Sequence, residues 1–403
     1  MALLPVADAL QRVLEHASAL PAERVPITEG HGRVLADNVV SQRTQPPVDV
    51  SAMDGYAVRS EDVTSAPIDL TVIGEVAAGR PFTGEIRGGQ AVRIFTGGEM
   101  PAGADTVVVQ EQTRRDGDNV IITTVPKRGR HIRAAGLDFK EGEVLLSRGR
   151  VLTGRDLGLA AAMNHPILPV HRKPRVALLA TGDELVLPGP KPGPGQIVYS
   201  NGYSVAALAR QEGAVVSDLG IVRDTLADTV AAIKDARMRR VDVLVTMGGA
   251  SVGDYDFVQQ ALAAEGMDLS FWKIAMRPGR PLMHGRLGPI HVLGLPGNPV
   301  SAFVCAFLFL VPLLRALSGR ADTIPELEQA LLGADLPEND ERADYLRARL
   351  SRSPRGALVA TPFPAQDSSM TRLLAEADCL VLRAPHAPQA AAGSPCVILK
   401  LPL

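Results

Sequence analysis

Residues 290–301 read IHVLGLPGNPVS and place an apolar run directly before a glycine turn and a helix start. Ile290–Leu295 predicts a buried strand, Asn298 suits the helix cap, and Pro299 suits the first helical position. The helix contains the uncharged segment Ala302–Leu314, which is shorter than the ~20 residues that cross a bilayer. We therefore expect a buried strand, turn and core helix, the repeating unit of an α/β domain.

The same alternation extends outward through residues 174–319. Such a succession predicts a mostly parallel sheet covered by helices. The predicted strands are Val176–Ala180, Val215–Ile221, Val241–Met247, Leu269–Ile274 and Ile290–Leu295, and the predicted helices are Ser204–Gln211, Thr225–Arg239, Phe257–Ala264 and Pro299–Leu317.

The rest of the 403 residues differs from this central pattern, and the length alone suggests two to four domains. We expect a multidomain α/β plus β protein. Residues 1–49 and 138–172 form a discontinuous, elongated, helix-containing N-terminal or linker domain. Residues 50–137 form an inserted all-β lobe with a hairpin turn at 116–119. Residues 173–320 form the mostly parallel α/β domain, and residues 321–403 form a small C-terminal β domain.

The charge and the cysteine content argue against several classes of protein. The net charge is -2, which gives no general attraction to nucleic acid or an anionic membrane, so bound anions must be held by local arrangement. The three cysteines form no C-x-x-C pair, and no H-E-x-x-H motif is present. The N-terminus lacks the apolar core of a signal peptide. We expect a cytoplasmic protein without nucleic-acid or membrane partners.

Three loops rich in glycine and polar residues follow predicted strands of the α/β domain. Because ligands bind beyond the carboxyl ends of parallel strands, we expect these loops to meet at one site. Their glycines let backbone N–H groups approach an anion, and their carboxylates suit magnesium. The expected binding residues are Thr181, Gly182, Asp183, Gly248, Gly249, Ser251, Gly253, Asp254, Pro296, Gly297, Asn298 and Pro299.

Each loop taken alone has a plainer interpretation. A Gly-Gly pair is often only a turn, and T-G-D-E is usually a turn with a capping Asp. The chain has no Walker loop, G-x-G-x-x-G or G-x-S-x-G motif. The sequence therefore gives no support for an ATPase, a dinucleotide-binding protein or a serine hydrolase. The convergence of three such loops favours a functional site.

Six blocks of sequence resemble the MoeA family of molybdopterin molybdenumtransferases, which includes the E domain of gephyrin. The resemblance covers nearly the whole chain. The blocks are SAMDGYAV at 51–58, FTGG at 95–98, PAGAD at 101–105, TGDEL at 181–185, GGASVGD at 248–254 and GLPGNPVS at 294–301.

The resemblance implies the last step of molybdenum cofactor assembly. The substrates would be molybdate and adenylyl-molybdopterin, the metal Mg²⁺, and the products molybdenum cofactor and AMP. It further implies a homodimer whose active site is shared between subunits, the β lobe of one chain closing the α/β site of the other. Transient contacts would be made with molybdopterin adenylyltransferase and recipient molybdoenzymes.

The family's functional residues can be carried over by position. The resemblance assigns catalysis to Asp54, Thr96, Asp138, Glu184, Asp224, Asp256, Lys273 and Arg277. The magnesium ligands would be among Glu184, Asp224 and Asp256, and Arg280, Arg347 and Ser368 would join Lys273 and Arg277 around molybdate. Family members often carry lysines at the positions of Arg277 and Arg280, and Leu137 replaces a usual acidic residue.

Two other functions stay open at this stage. A molybdopterin adenylyltransferase has a similar α/β domain, although it lacks the inserted β lobe and the C-terminal β domain. A non-catalytic molybdopterin-binding scaffold, as gephyrin's E domain also is for receptors, fits the same domain order. The sequence does not distinguish molybdate from tungstate, which are tetrahedral dianions of nearly equal size.

Overall fold

A computed structural model describes residues 3–77, 79–248 and 257–402 of the chain. Its central feature is a six-stranded sheet whose first four strands are parallel, while Met283–Leu287 runs antiparallel to both its neighbours. The spatial order is Val215–Val222, Arg175–Thr181, Val243–Met247, Ile290–Leu295, Met283–Leu287 and Asp268–Trp272. The mostly parallel α/β sheet is thus confirmed, with one antiparallel strand that the sequence patterns did not indicate.

Helices cover both faces of this sheet because its central strands are apolar on both sides. The α-helices are Asn201–Gln211, Leu226–Met238, Phe257–Ala264, Pro299–Cys305 and Val311–Leu317. The last two join through a π-helical turn at Ala306–Leu310 into one helical run. This run is long and apolar enough to cross a membrane, but 83% of its most apolar window is buried inside the protein. It is the core helix that the sequence predicts.

A second six-stranded sheet forms the inserted β lobe. Its spatial order is Thr106–Val109, Gly55–Val58, Gln90–Ile94, Ile68–Val76, Asn119–Ile122 and Thr113–Asp116. The last two strands form the predicted hairpin, and Gly117 in its turn has φ +60°, the left-handed conformation that such turns need. Buried Val58, Ile94 and Val108 belong to its core. This lobe is therefore an all-β unit with its own apolar interior.

The segments that flank the lobe form a region with two helices and short strand pairs. The helices are Val6–Leu14 and Gly154–Ala162. The paired strands are Ala22–Pro26 with Ile167–His171, Val39–Val40 with Val144–Leu146, and Val50–Ser51 with Ile132–Arg133. The helix at 154 begins with a capping box between Thr153 and Asp156, which satisfies backbone groups at its start. These pairings bring residues before and after the lobe together.

The C-terminal strands close into a small barrel. Its strands are Leu327–Leu332, Ala343–Arg352, Leu358–Pro362, Cys379–Arg383 and Pro395–Lys400, with a short helix at Thr371–Ala375. Closure comes from pairing of the second strand with both the third and the fourth. Met276–Arg277, from the α/β domain, pairs in parallel with the start of the second strand. The barrel therefore docks directly on the α/β domain.

Candidate active site

The parallel strands end level with one another. Ala180 lies beside Met247, which lies beside Leu295, and Thr181 lies beside Val222. The loops that follow these strands therefore begin at one edge of the sheet, as the sequence predicts. A cavity of about 100 Å³ at this edge joins them, and its walls include Thr181, Glu184, Asn201, Gly248 and Gly297.

Two glycines stand at this edge of the sheet, and one of them, Gly248, lines the cavity. Gly248 has φ +89°, and a Cβ atom there would lie 2.5 Å from the carbonyl oxygen of Thr181. Gly182 has φ +148°, and a Cβ atom there would lie 2.7 Å from a Glu184 carboxylate oxygen. The Thr181 hydroxyl is buried and has no partner among the described residues. Gly248 is thus required for close backbone approach, and the Thr181 hydroxyl is available to a ligand.

Three carboxylates gather beside the cavity. The Asp224 backbone N–H donates to Asp183 Oδ1 at 3.2 Å. Burial, and then the charges of Asp183 and Glu184, raise the pKa of Asp224. Its Oδ1 atom is buried without a hydrogen-bond partner in the described chain. Oxygen ligands that repel one another and lack a counterion fit a hard divalent cation.

The described residues do not by themselves complete a metal site. Within them, no group of three or more His, Cys, Asp or Glu side chains could already hold an ion. The third predicted ligand, Asp256, lies outside the described residues, as do Gly249, Ser251, Gly253 and Asp254. The structure therefore brings Glu184 and Asp224 together and leaves the remaining predicted ligand untested.

The helix start at Pro296–Pro299 is tied to two other segments. Asn298 occupies the N-cap position, but its side chain makes no capping bond. Instead its Nδ2 donates to the Ser368 hydroxyl at 2.7 Å, and the Val300 N–H donates to the Ser368 carbonyl at 3.1 Å. Asn201 Nδ2 donates to the Gly297 carbonyl at 2.7 Å. The C-terminal barrel thus contributes Ser368 to the sheet edge.

The predicted cations of the loop at 273–280 have different surroundings. Lys273 has φ +70°, and its Nζ lies 4.1 Å from the centre of the Trp272 ring. Arg277 makes salt bridges to Asp344 and, at 3.1 Å, to Asp340. The exposed Arg280 side chain makes no hydrogen bond or salt bridge within residues 3–77, 79–248 and 257–402. Among the described residues, Lys273 and Arg280 are thus the cations of this loop that lack a carboxylate partner.

Arg347 is buried rather than presented to solvent. Only 1% of the residue is exposed, and its guanidinium donates to the carbonyls of Asp367 at 2.9 Å and Met370 at 3.2 Å. Burial lowers its pKa, and its Nε has no partner among the described residues. These bonds hold the loop that presents Ser368. Arg347 therefore acts on the site through the loop in this conformation.

The residues predicted in the lobe and at its border form a separate group. Asp54 accepts hydrogen bonds from Thr96, and Asp138 lines a cleft of about 480 Å³ together with Arg43, Gly97 and Arg133. In the described parts of the chain, no hydrogen bond or salt bridge joins residues 50–137 to the α/β domain. The predicted residues thus fall into two groups, one at the sheet edge and one in the lobe.

Sequence reasoning missed Asn201, Asp340 and Asp344. Asn201 follows the short strand Ile197–Val198 and opens a helix, a signal that could have placed it near a ligand. Asp340 and Asp344 lie more than sixty residues beyond Arg277, and no local pattern links them to it.

Comparison with family models agrees with this architecture along most of the chain. The MoeA N-terminal region (domain I and II) matches residues 4–164, and a probable molybdopterin binding domain matches residues 177–316. The MoeA C-terminal region (domain IV) matches residues 329–401.

The chain belongs to the MoeA family.

Relatives and solved structures agree with this membership. The MoeA-family chain is 34% identical to the molybdopterin molybdenumtransferase of Haemophilus influenzae, with 89% of each chain covered. It is 34% identical to that of Bacillus subtilis, with 94% of this chain and 90% of the relative covered. A molybdopterin biosynthesis MoeA protein from Pyrococcus horikoshii superposes with a TM-score of 0.84 at 27% identity, over 99% of this chain and 100% of the other.

Proposed function

We propose that this MoeA-family chain is a molybdopterin molybdenumtransferase that inserts molybdenum from molybdate into adenylyl-molybdopterin and releases AMP. The observation that carries the proposal is the sheet edge, where carboxylates, an unpartnered hydroxyl and a glycine-lined cavity meet. The order of the three matched family regions and the names of the relatives support the same function.

The carboxylates have a defined task in this reaction. Release of AMP cleaves a phosphoric anhydride, and a bound Mg²⁺ would neutralise the charge that develops there. Glu184 and Asp224 would hold the ion, together with Asp256. Asp183 fixes the Asp224 backbone through the N–H bond described above. Gly248, which lines the cavity, lets backbone groups approach the substrate because it has no side chain.

Molybdate requires fixed positive donors because it is a dianion. Lys273 and Arg280 would supply them, since neither has a carboxylate partner among the described residues. Ser368 would add its hydroxyl from the barrel, while Arg347 holds the loop that carries it. The binding chemistry suits a tetrahedral oxyanion and does not separate molybdate from tungstate.

The lobe residues are proposed to act across a homodimer. Asp54 and Thr96 lie in a lobe, and Asp138 at its border, and this lobe has no described hydrogen bond or salt bridge to its own α/β domain. A symmetric dimer would let the lobe of one subunit close the sheet edge of the other. We also propose a cytoplasmic location, with transient contacts to molybdopterin adenylyltransferase and to recipient molybdoenzymes.

The barrel distinguishes this proposal from the adenylyltransferase alternative. Its Ser368 contacts Asn298 at the start of the site helix, so the sheet edge is built from more than an α/β domain alone. A non-catalytic molybdopterin-binding scaffold would not need the mutually repelling carboxylates of Asp183, Glu184 and Asp224 for catalysis. Transfer chemistry therefore explains more of the described site than either alternative does.

The direct test measures AMP release from adenylyl-molybdopterin by the purified full-length chain. Release that requires both molybdate and Mg²⁺ is expected. Release of pyrophosphate from ATP and molybdopterin instead would support an adenylyltransferase. Binding of adenylyl-molybdopterin without release of AMP, under conditions where a relative is active, would support a scaffold.

A further inference from the structure

The loop that carries Arg277 and Arg280 is fixed on two sides. On one side, Met276–Arg277 pairs in parallel with Ala343–Asp344, and the Ala343 N–H donates to the Ala275 carbonyl at 3.0 Å. On the other side, Gly279 has φ +110°, and a Cβ atom there would lie 2.4 Å from Cys305 Sγ. The backbone of the loop is thus held on both sides.

The barrel surrounds the Arg277 guanidinium with acceptors. Its Nη2 donates to Asp344 and, at 3.3 Å, to Asn339 Oδ1, while its Nη1 donates to Asp340 Oδ2 at 3.1 Å. Asp344 is 5% exposed and Asn339 is 7% exposed, so these two acceptors are buried, whereas Asp340 and the Arg277 side chain stay partly exposed. Because the two carboxylates already balance the charges of Arg277 and Arg342, this cluster offers little net attraction to an anion.

Loss of the ion pair with Arg277 would leave Asp344 in an unfavourable environment. Its Oδ2 is bound to Arg277, and its Oδ1 is buried without a partner in the described chain. Removing the guanidinium would leave a buried carboxylate uncompensated, which is strongly destabilising. Arg280, three residues later, has no side-chain hydrogen bond or salt bridge to any described residue, and its backbone carbonyl accepts a hydrogen bond from the Ile274 N–H at 3.0 Å.

We propose that Asp344 is a positioning residue whose ion pair keeps Arg277 away from the bound anion. Arg277 then serves as a structural bridge between the barrel and the sheet edge, and Arg280 supplies the positive charge with which this loop binds an oxyanion. The inference rests on the proposed function, since molybdate is taken as the anion. It assigns opposite roles to two arginines that stand three residues apart in one loop. Arg277 would act through geometry, and Arg280 through contact with the substrate.

The test compares molybdate binding, by equilibrium dialysis of the intact chain without pterin, in Arg280→Gln and Arg277→Gln variants. We expect Arg280→Gln to weaken binding about tenfold or more, the usual effect of losing a charge-assisted bond. Arg277→Gln should leave the dissociation constant within about threefold of that of the unchanged protein. Equal weakening by both substitutions overturns the inference.

Further readouts separate positioning from simple loss of fold. We expect Arg277→Gln to lower kcat for AMP release while KM for molybdate stays nearly constant, and Arg277→Lys to restore most of kcat by keeping one ion pair. Asp344→Asn frees part of the Arg277 charge, so kcat should fall while KM for molybdate stays the same or decreases. If Arg277→Gln does not fold, the same kinetic measurements on Asp344→Asn and Arg277→Lys test the proposal. A large rise in KM for molybdate with either variant contradicts the bridging role of Arg277.

The two proposals fail differently. If the unchanged protein binds no molybdate, the assignment of Arg280 is wrong whatever the assay of AMP release gives. If it binds molybdate through Arg280 but releases no AMP, the proposed function fails and the division of roles between the arginines stands.

Discussion

Thr96 donates two hydrogen bonds to the same carboxylate oxygen of Asp54, one from its backbone N–H and one from its hydroxyl, each 2.8 Å long. These bonds, the backbone one first, and the nearby charge of Arg93 hold the pKa of Asp54 below its ordinary value. Two residues that the sequence assigns to the site separately thus form one unit. The unit keeps a carboxylate ionised and fixed in direction.

Replacing Thr96 by valine should change the pH dependence of AMP release. The variant loses the hydroxyl bond, so the pKa of Asp54 rises towards its ordinary value. Asp54 is ionised above its pKa, and the acidic limb of the kcat/KM profile should therefore move to higher pH. Thr96→Ser keeps a hydroxyl and serves as the matched control. An unchanged acidic limb in Thr96→Val would show that the Asp54 charge does not limit the reaction.

Replacing Asp224 by asparagine should abolish turnover without loss of stability. The substitution removes a charge that Asp183 and Glu184 oppose, so the melting temperature should stay the same or rise. Mg²⁺-dependent AMP release should fall at least about a hundredfold, because a carboxylate ligand is lost. Asp235→Asn, which affects only a surface pair with Arg239, is the control and should remain active. Full activity of Asp224→Asn would remove Asp224 from the mechanism.

Replacing Gly248 by alanine tests the close approach at the floor of the cavity. The new Cβ atom would lie 2.5 Å from the Thr181 carbonyl oxygen in a left-handed conformation. Gly266 has nearly the same φ, +87°, with no atom within 4 Å of its virtual Cβ. Gly266→Ala should therefore cost only about 1–2 kcal/mol of backbone strain, whereas Gly248→Ala should also shift Thr181. We expect kinetic defects in Gly248→Ala alone. Equal activity in both variants would contradict a functional role for the close approach of Gly248 to Thr181.

The sequence predicts the α/β strands because each is a short apolar run before a turn, and these patterns are local. It misses Met283–Leu287, since His284 and Arg286 interrupt the apolar pattern and the strand gains its place from antiparallel pairing. It also misses Leu327–Leu332, whose composition favours a helix while pairing with Pro395–Lys400 makes it a strand. Tertiary pairing decides both cases.

The site residues also divide into those that local patterns predict and those that tertiary contacts decide. The loops after Thr181 and Leu295 are predictable, since topology brings the ends of parallel strands together. The ion pair between Arg277 and Asp344 is not predictable, because it depends on how the barrel docks. The family resemblance alone assigns Arg277 to the anion, and only the three-dimensional contacts reveal that its charge is already balanced.

The buried pair His284 and His291 should make the protein sensitive to acid. Their rings stack with centroids 5.9 Å apart, and burial, with the charges of Arg286 and His16, lowers the pKa of His284 to about 4 and of His291 to about 3. Both stay neutral in the folded state where the unfolded chain takes up protons, so stability falls as pH drops below about 6.5.

Each of these histidines should cost about 2 kcal/mol between pH 6.5 and pH 5. The melting temperature of the α/β transition, followed by calorimetry over this range, should decline less in the double variant His284→Phe/His291→Phe than in the unchanged protein. His31→Gln, at an exposed histidine, is the control and should follow the unchanged protein. The same decline in all three proteins would show that other groups cause the acid sensitivity.

Mixing inactive variants should reveal whether the active site is shared between subunits. If Asp54 serves the sheet edge of the partner, a heterodimer of Asp54→Asn and Asp224→Asn chains carries both defects in one site and leaves the other intact. Random exchange at equal amounts makes half of the dimers mixed, so about a quarter of full activity should return. Mixing Asp224→Asn with Glu184→Gln is the matched control, because both defects lie at the sheet edge and every site stays impaired. No recovery after subunit exchange has been verified by mass spectrometry would mean that each site is built within one chain, and that the lobe must reach its own sheet edge by a movement of the chain.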